Sequence, residues 1–104
     1  MLTWRPLYAQ TGYEFVNDWK EFQKYDAGQS HSNFQLGCYM GFVSGVWTTG
    51  GRGYGFKFNS NVTNGQICSV VGKWIGDHPE RWTDNPADIV VQALKEAFPL
   101  QKKK

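Results

Sequence analysis

Two histidines, two cysteines and a cluster of acids are the residues of this chain whose chemistry could be catalytic or metal-binding. Zinc takes three or four ligands at close spacing, and neither His31 nor His78 has a Cys or carboxylate set around it. No Ser/His/Asp or Cys/His arrangement has its partners. Asp77, Glu80, Asp84 and Asp88 lie close together, but acids at two successive helix starts are accounted for by capping and the helix dipole. His78 directly precedes Pro79, a corner position. Cys38 and Cys68 each fall within a helical pattern among apolar neighbours and read as small buried thiols. The expectation is a protein with no catalytic residue, no metal and no cofactor, hence no enzyme.

Binding chemistry is better represented. Aromatics make up 16% of the chain, with five Trp and five Tyr, and a short domain cannot hide every such ring. Arg52, Tyr54, Phe56 and Lys57 lie in a glycine-rich stretch and combine the Arg and Tyr types that anchor protein interfaces. Trp82, at the corner after His78-Pro79-Glu80, is a further partner-binding candidate. The same loop permits a second reading. Arg52-Gly53-Tyr54-Gly55-Phe56 matches the opening of the aromatic ribonucleoprotein motif, whose rings stack on bases. That motif needs a central strand of an antiparallel sheet, and here the flanking sequence is helical on both sides. A small nucleic-acid-binding module is therefore the alternative to a protein-binding one. Gly50-Gly51-Arg52-Gly53 is no phosphate loop, since no Gly-Lys-Ser/Thr follows.

Bulk properties narrow the class. At 104 residues the chain is one domain with a modest core. Three of its eleven basic residues are Lys102, Lys103 and Lys104, and the other eight fall one short of the nine acids. The formal +2 thus reflects a solubilising tail over 100–104, expected to be disordered, more than a nucleic-acid patch. No apolar run approaches the roughly 18 residues that span a membrane, so no membrane role is expected. Met1 to Pro6 lacks a basic segment followed by an apolar core, so no signal peptide is visible. Either the chain stays in the cytoplasm or an export signal was removed.

These residues must be positioned by helices. Residues 1–10 read as an extended arm carrying Leu2, Trp4, Leu7 and Tyr8. Thr11-Gly12-Tyr13-Glu14 is a capping box opening a helix to about Tyr25, with Phe15, Val16, Trp19 and Phe22 inward. A second helix, Ser32 to Trp47, is apolar on most sides and is predicted to be central. Gly37, Gly41 and Gly45 recur along one face of it. Glycine costs about 1 kcal/mol relative to Ala in a helix interior, so a close helix crossing is expected there. Thr48 to Asn61 is a glycine-rich loop in which Phe56-Lys57-Phe58 alternates as a short strand would. Thr63 with Gln66 caps a third helix to Gly76, and Pro79 and Pro86 punctuate a fourth region ending at Phe98. The fold class is all-α: one compact domain, residues 1–104, of four to five short helices.

From Gly37 to Pro99 the chain resembles the Tai/Rap immunity proteins, which neutralise amidase toxins delivered by bacterial type VI secretion. The resemblance is carried by Gly41-Phe42-Val43-Ser44-Gly45-Val46, Val62-Thr63 with Gln66, and Val70-Val71-Gly72-Lys73-Trp74-Ile75. It continues through His78-Pro79-Glu80 and Pro86-Ala87 to Ala93-Leu94 and Ala97-Phe98-Pro99, in the family's order. It implies an inhibitor that occludes a cognate peptidoglycan amidase, a homodimer, and a periplasmic location. The places that hold cysteines in relatives are held here by Trp19, Tyr39, residues around Lys57, and Leu100, while Cys38 and Cys68 lie elsewhere.

Overall fold

A computed structural model describes residues 11–100, with Gly51 and Arg52 described by backbone alone. The arm over 1–10 and Lys102 to Lys104 lie outside the described residues, as does the Arg52 side chain. Among the described residues the chain forms α1 (Gly12–Asp26), α2 (Asn33–Tyr54), α3 (Asn64–Asp77) and α4 (Pro86–Ala97), with a short 3-10 turn at Pro79–Arg81. The fold is all-α. None of these helices is long and apolar enough to cross a membrane.

Each helix starts where its polar residues satisfy orphan backbone donors. Thr11 Oγ1 accepts from the Glu14 amide at 3.2 Å while the Thr11 amide donates to Glu14 Oε1 at 2.9 Å. Thr63 and Gln66 repeat this reciprocal arrangement at the start of α3. Asn85 Oδ1 accepts from the Ala87 amide ahead of Pro86, which occupies a first-turn position that has no amide to lose. The α1–α2 corner is tied across as well: the Ser32 amide donates to Glu21 Oε1 at 2.8 Å, and Ser32 Oγ caps the Gln35 amide. Gly28, at φ +75, supplies the left-handed step that ends α1.

Helix α1 packs antiparallel on α2 through Phe15 against Phe42 and Phe22 against Tyr39, with ring centroids 5.3 and 5.2 Å apart. The core continues through Val43 and Trp47 of α2, Ile67, Val71 and Ile75 of α3, and Ile89, Val90 and Leu94 of α4. Burial of a full set of such side chains, each worth about 1.5–3 kcal/mol, is what holds helices too short to persist alone.

Three expectations are corrected here. Helix α2 does not stop at Trp47 but runs through the glycine-rich stretch to Tyr54. Thr48 and Thr49 return their hydroxyls to the carbonyls of Ser44 and Gly45, and the Tyr54 ring folds back over Gly50, so the extra turns carry their own contacts. Gly55, at φ +85, then ends the helix, and the connecting loop is correspondingly shorter. Phe56-Lys57-Phe58 forms no strand; it makes one isolated antiparallel bridge, Phe56 to Pro99.

The third correction concerns glycines. Gly37, Gly41 and Gly45 mark no crossing among the described residues: a Cβ at any of them would meet none of those residues within 4 Å. Close approach occurs instead at Gly12, where a Cβ would collide with the carbonyl oxygens of Trp82 and Asp84, and at Gly72. A Cβ on Gly72 would stand 2.6 Å from Trp19 Nε1. These two glycines let α1 seat against both α3 and the corner before α4. The described residues leave the stripe on α2 open.

Candidate functional site

The C-terminal ends of α2 and α4 meet at one end of the molecule, and three of the sequence candidates gather there. The Lys57 amide donates to the Phe98 carbonyl at 2.7 Å, beside the Phe56–Pro99 bridge, which clips the loop onto the end of α4. Trp47 is the floor. Its ring stacks on Phe56 at 5.5 Å and 9°, and lies 5.0 Å from Phe58 and 4.9 Å from Phe98. Phe56 is fully buried by this stack, so its ring serves the core and offers no face to a partner. Tyr54 remains 48% and Phe58 44% exposed, and Lys57 stands in solvent.

Phe58, Phe98 and Lys95 complete this end; Phe58 closes the 52–58 loop of the nucleic-acid reading, and none of the three is among the partner-binding candidates of the sequence. A signal for Phe58 did exist. In the alternation Phe56-Lys57-Phe58 both rings fall on one side, and both reach Trp47 while Lys57 points away. Nothing local could have brought in Phe98, which arrives from the other end of the chain. With Phe56 buried and no sheet among the described residues, the ring platform of a ribonucleoprotein strand is not assembled.

Trp82 is not part of this cluster. It sits ahead of the N-terminus of α4, where its Nε1 donates to the Ile75 carbonyl at 2.7 Å and its ring meets Trp19 edge-on at 6.1 Å. Lys20 Nζ lies 5.4 Å above the same ring, so one face of it is already engaged. The neighbouring corner is equally committed. His78 stacks on Trp74 at 4.1 Å and its Nδ1 lies 2.8 Å from the Trp74 carbonyl oxygen. Arg81 covers Trp74 at 5.6 Å and pairs with Asp84, which raises its already high pKa. The Gln92 amide, then the Trp74 indole, hold the Glu96 carboxyl below the usual range, although that indole N–H closes no well-aligned hydrogen bond. These polar contacts fix a corner where α3 hands over to α4.

Among the described residues no group of three or more His, Cys, Asp or Glu converges as a metal site would require. Cys38 and Cys68 stand as free thiols, and burial pushes Cys68 up to about 11. Two exposed features combine open surface with apolar side chains. One is the aromatic end just described, and the other is the outer face of α2, which carries Phe34 at 72% exposure followed by the glycine stripe.

No curated protein and no solved structure matches this chain. A family model does match, that of the Rap1a immunity proteins, over residues 11–100. The matched span takes in all four helices, both capping boxes and the corner at Pro79. The chain belongs to the Rap1a immunity protein family.

Proposed function

We propose that this protein inhibits a peptidoglycan amidase delivered by type VI secretion, binding it directly and without chemistry of its own, and that it does so as a homodimer. Family membership supports toxin inhibition. The observation that carries the protein-binding part is the outer face of α2. From Asn33 to Gly51 this helix has no charged residue, and its exposed side carries Gly37, Gly41 and Gly45. Each glycine costs about 1 kcal/mol of helix stability relative to Ala, and none returns it through contacts with the described residues. A bare helix face of this kind allows backbone-to-backbone approach by a second helix. Because the face carries no charge, the same face of a second copy meets no repulsion, and a two-fold pairing closes without leaving the patch exposed. An amidase acts on the cell wall, so the inhibitor would work in the periplasm.

The test begins with the reading frame next to the gene. Its purified product should release muropeptides from peptidoglycan, and one equivalent of this protein should stop the release. Full amidase activity in the presence of saturating protein sinks the inhibitor reading. Sedimentation addresses the dimer separately: the natural sequence should run as a dimer and Gly41→Leu as a monomer, whereas a monomer in both removes the role given to α2.

A further inference from the structure

The end of the molecule where α2 and α4 terminate has a charge as well as a shape. No Asp or Glu occurs between Asp26 and Asp77, so α2, the loop after it and most of α3 contribute only cations. Lys57 and Lys95 are both exposed at this end, Lys95 reaching the vicinity of Gly55, and neither forms an ion pair among the described residues. Glu96, the nearest acid along the chain, is turned away toward Gln92 and Trp74. Two helix C-termini also converge here and together carry the equivalent of about one negative charge. Two lysines exceed that. The local field is positive.

Beside Lys57 lies an open cavity of about 490 Å³ lined by Lys57, Phe58, Asn59, Ser60, Phe98 and Pro99, with Lys95 on α4 ahead of Phe98 and close to Gly55. Its walls are held in place. Trp47 packs beneath Phe58 and Phe98, and the Asn59 carbonyl and side chain accept from the Val62 and Asn61 amides. Phe58, Tyr54 and Leu100 nevertheless remain about half exposed around it. A preformed hollow with aromatic and polar walls and an unpaired lysine on its rim binds with little ordering cost.

We propose that this cavity is the docking site for an acidic segment of the protein partner, an aromatic or aliphatic side chain entering the hollow while flanking carboxylates meet Lys57 and Lys95. The assignment rests on the inhibitor reading above and specifies which face meets the toxin and what chemistry that toxin segment has. A nucleic acid fits less well. The stacking ring Phe56 is buried, and phosphate contacts by these two lysines would give a single-strand salt slope of only about −1.4.

Two arms separate the fate of this assignment from that of the inhibitor reading. In the first, the neighbour-encoded amidase is titrated with the natural protein, with Lys57→Glu/Lys95→Glu, and with Lys73→Glu, whose lysine pairs with Asp77 on another surface. The double reversal should weaken binding at least about tenfold, with slower association and a changed salt dependence, and Lys73→Glu should leave it unchanged. Equal binding by all three proteins overturns the docking site and leaves the inhibitor reading standing. The second arm needs no toxin. Backbone amide shifts are followed as a blocked hexapeptide alternating glutamate and tryptophan is added, then its glutamine counterpart, then a uridine-rich single-stranded RNA. Shifts confined to residues 54–60 and 95–100, seen with the acidic peptide and lost in the double reversal, support the site even if the neighbouring protein does not bind. Equal response to the glutamine peptide, shifts centred elsewhere, or tighter binding of the RNA overturns it.

Discussion

The Tyr39 hydroxyl donates a 2.7 Å hydrogen bond to the Cys68 carbonyl oxygen, joining α2 to α3 inside the core. Tyr39 has no exposed surface, and burial holds its phenol far above the ordinary range, so the group is a permanent donor. The Cys68 carbonyl lies within α3 and keeps its helical partner if this bond is lost. Tyr39→Phe should therefore cost only about 1 kcal/mol. Tyr39→Ala also empties a ring-sized space and should cost about 3–5 kcal/mol. Urea denaturation of both variants checks the gap between them; equal losses would mean that the hydroxyl, rather than the ring, is what matters.

Glycine substitutions should split by sign. Gly41→Ala adds a methyl into open space on a helix and should stabilise the isolated protein by about 0.5–1 kcal/mol. Gly72→Ala pushes the same methyl to 2.6 Å from Trp19 Nε1 and 3.4 Å from the Tyr39 oxygen, where neither neighbour is free to move. That change should destabilise by about 1–3 kcal/mol. Thermal melts at low protein concentration would show the opposite shifts, and a drop in both would place α2's glycines in an internal contact.

The two thiols should be separable by reactivity. Cys68 is fully buried with its pKa pushed up to about 11, while Cys38 is only partly covered and its pKa rises by burial and by proximity to Asp18. At pH 8 the native protein should react with a thiol reagent at Cys38, slowly, and not at Cys68; denatured protein should yield both. Peptide mapping of the labelled protein reads the result. Fast native labelling of Cys68 would contradict its burial.

Acid sensitivity should appear at the α1–α2 corner. The Glu21 carboxyl is held below its ordinary range by Lys24 and by the Ser32 amide. A carboxyl whose pKa is lowered in the folded state stabilises that state above its unfolded pKa, near 4.3. The contribution fades as pH falls through the lower folded value. Glu21→Gln should thus be less stable than the natural protein at pH 7 and indistinguishable from it well below pH 4. A stability gap that persists unchanged into acid would assign the loss to packing instead.

Much of this fold is written locally. Thr11 with Glu14, Thr63 with Gln66, and Asn85 before Pro86 each satisfy backbone donors within a single turn, so their effect needs no tertiary partner and the helix starts were legible. The inward residues of α1 and α4 follow from a 3.6-residue period for the same reason. What each glycine does is different. Gly37, Gly41 and Gly45 share a spacing that suggests a crossing, yet the crossing belongs to Gly72 and Gly12, because which helix face meets a neighbour depends on how all the helices pack. The end of α2 was equally hidden, since Tyr54 folding over Gly50 and the stack of Phe56 on Trp47 outweigh glycine's poor propensity only once the chain is assembled. The aromatic end divides along this line. Tyr54 and Lys57 could be read from residue type, but Phe58, Phe98 and Lys95 became one surface with them only when α4 brought its C-terminus back against the loop, closing Phe56 onto Pro99.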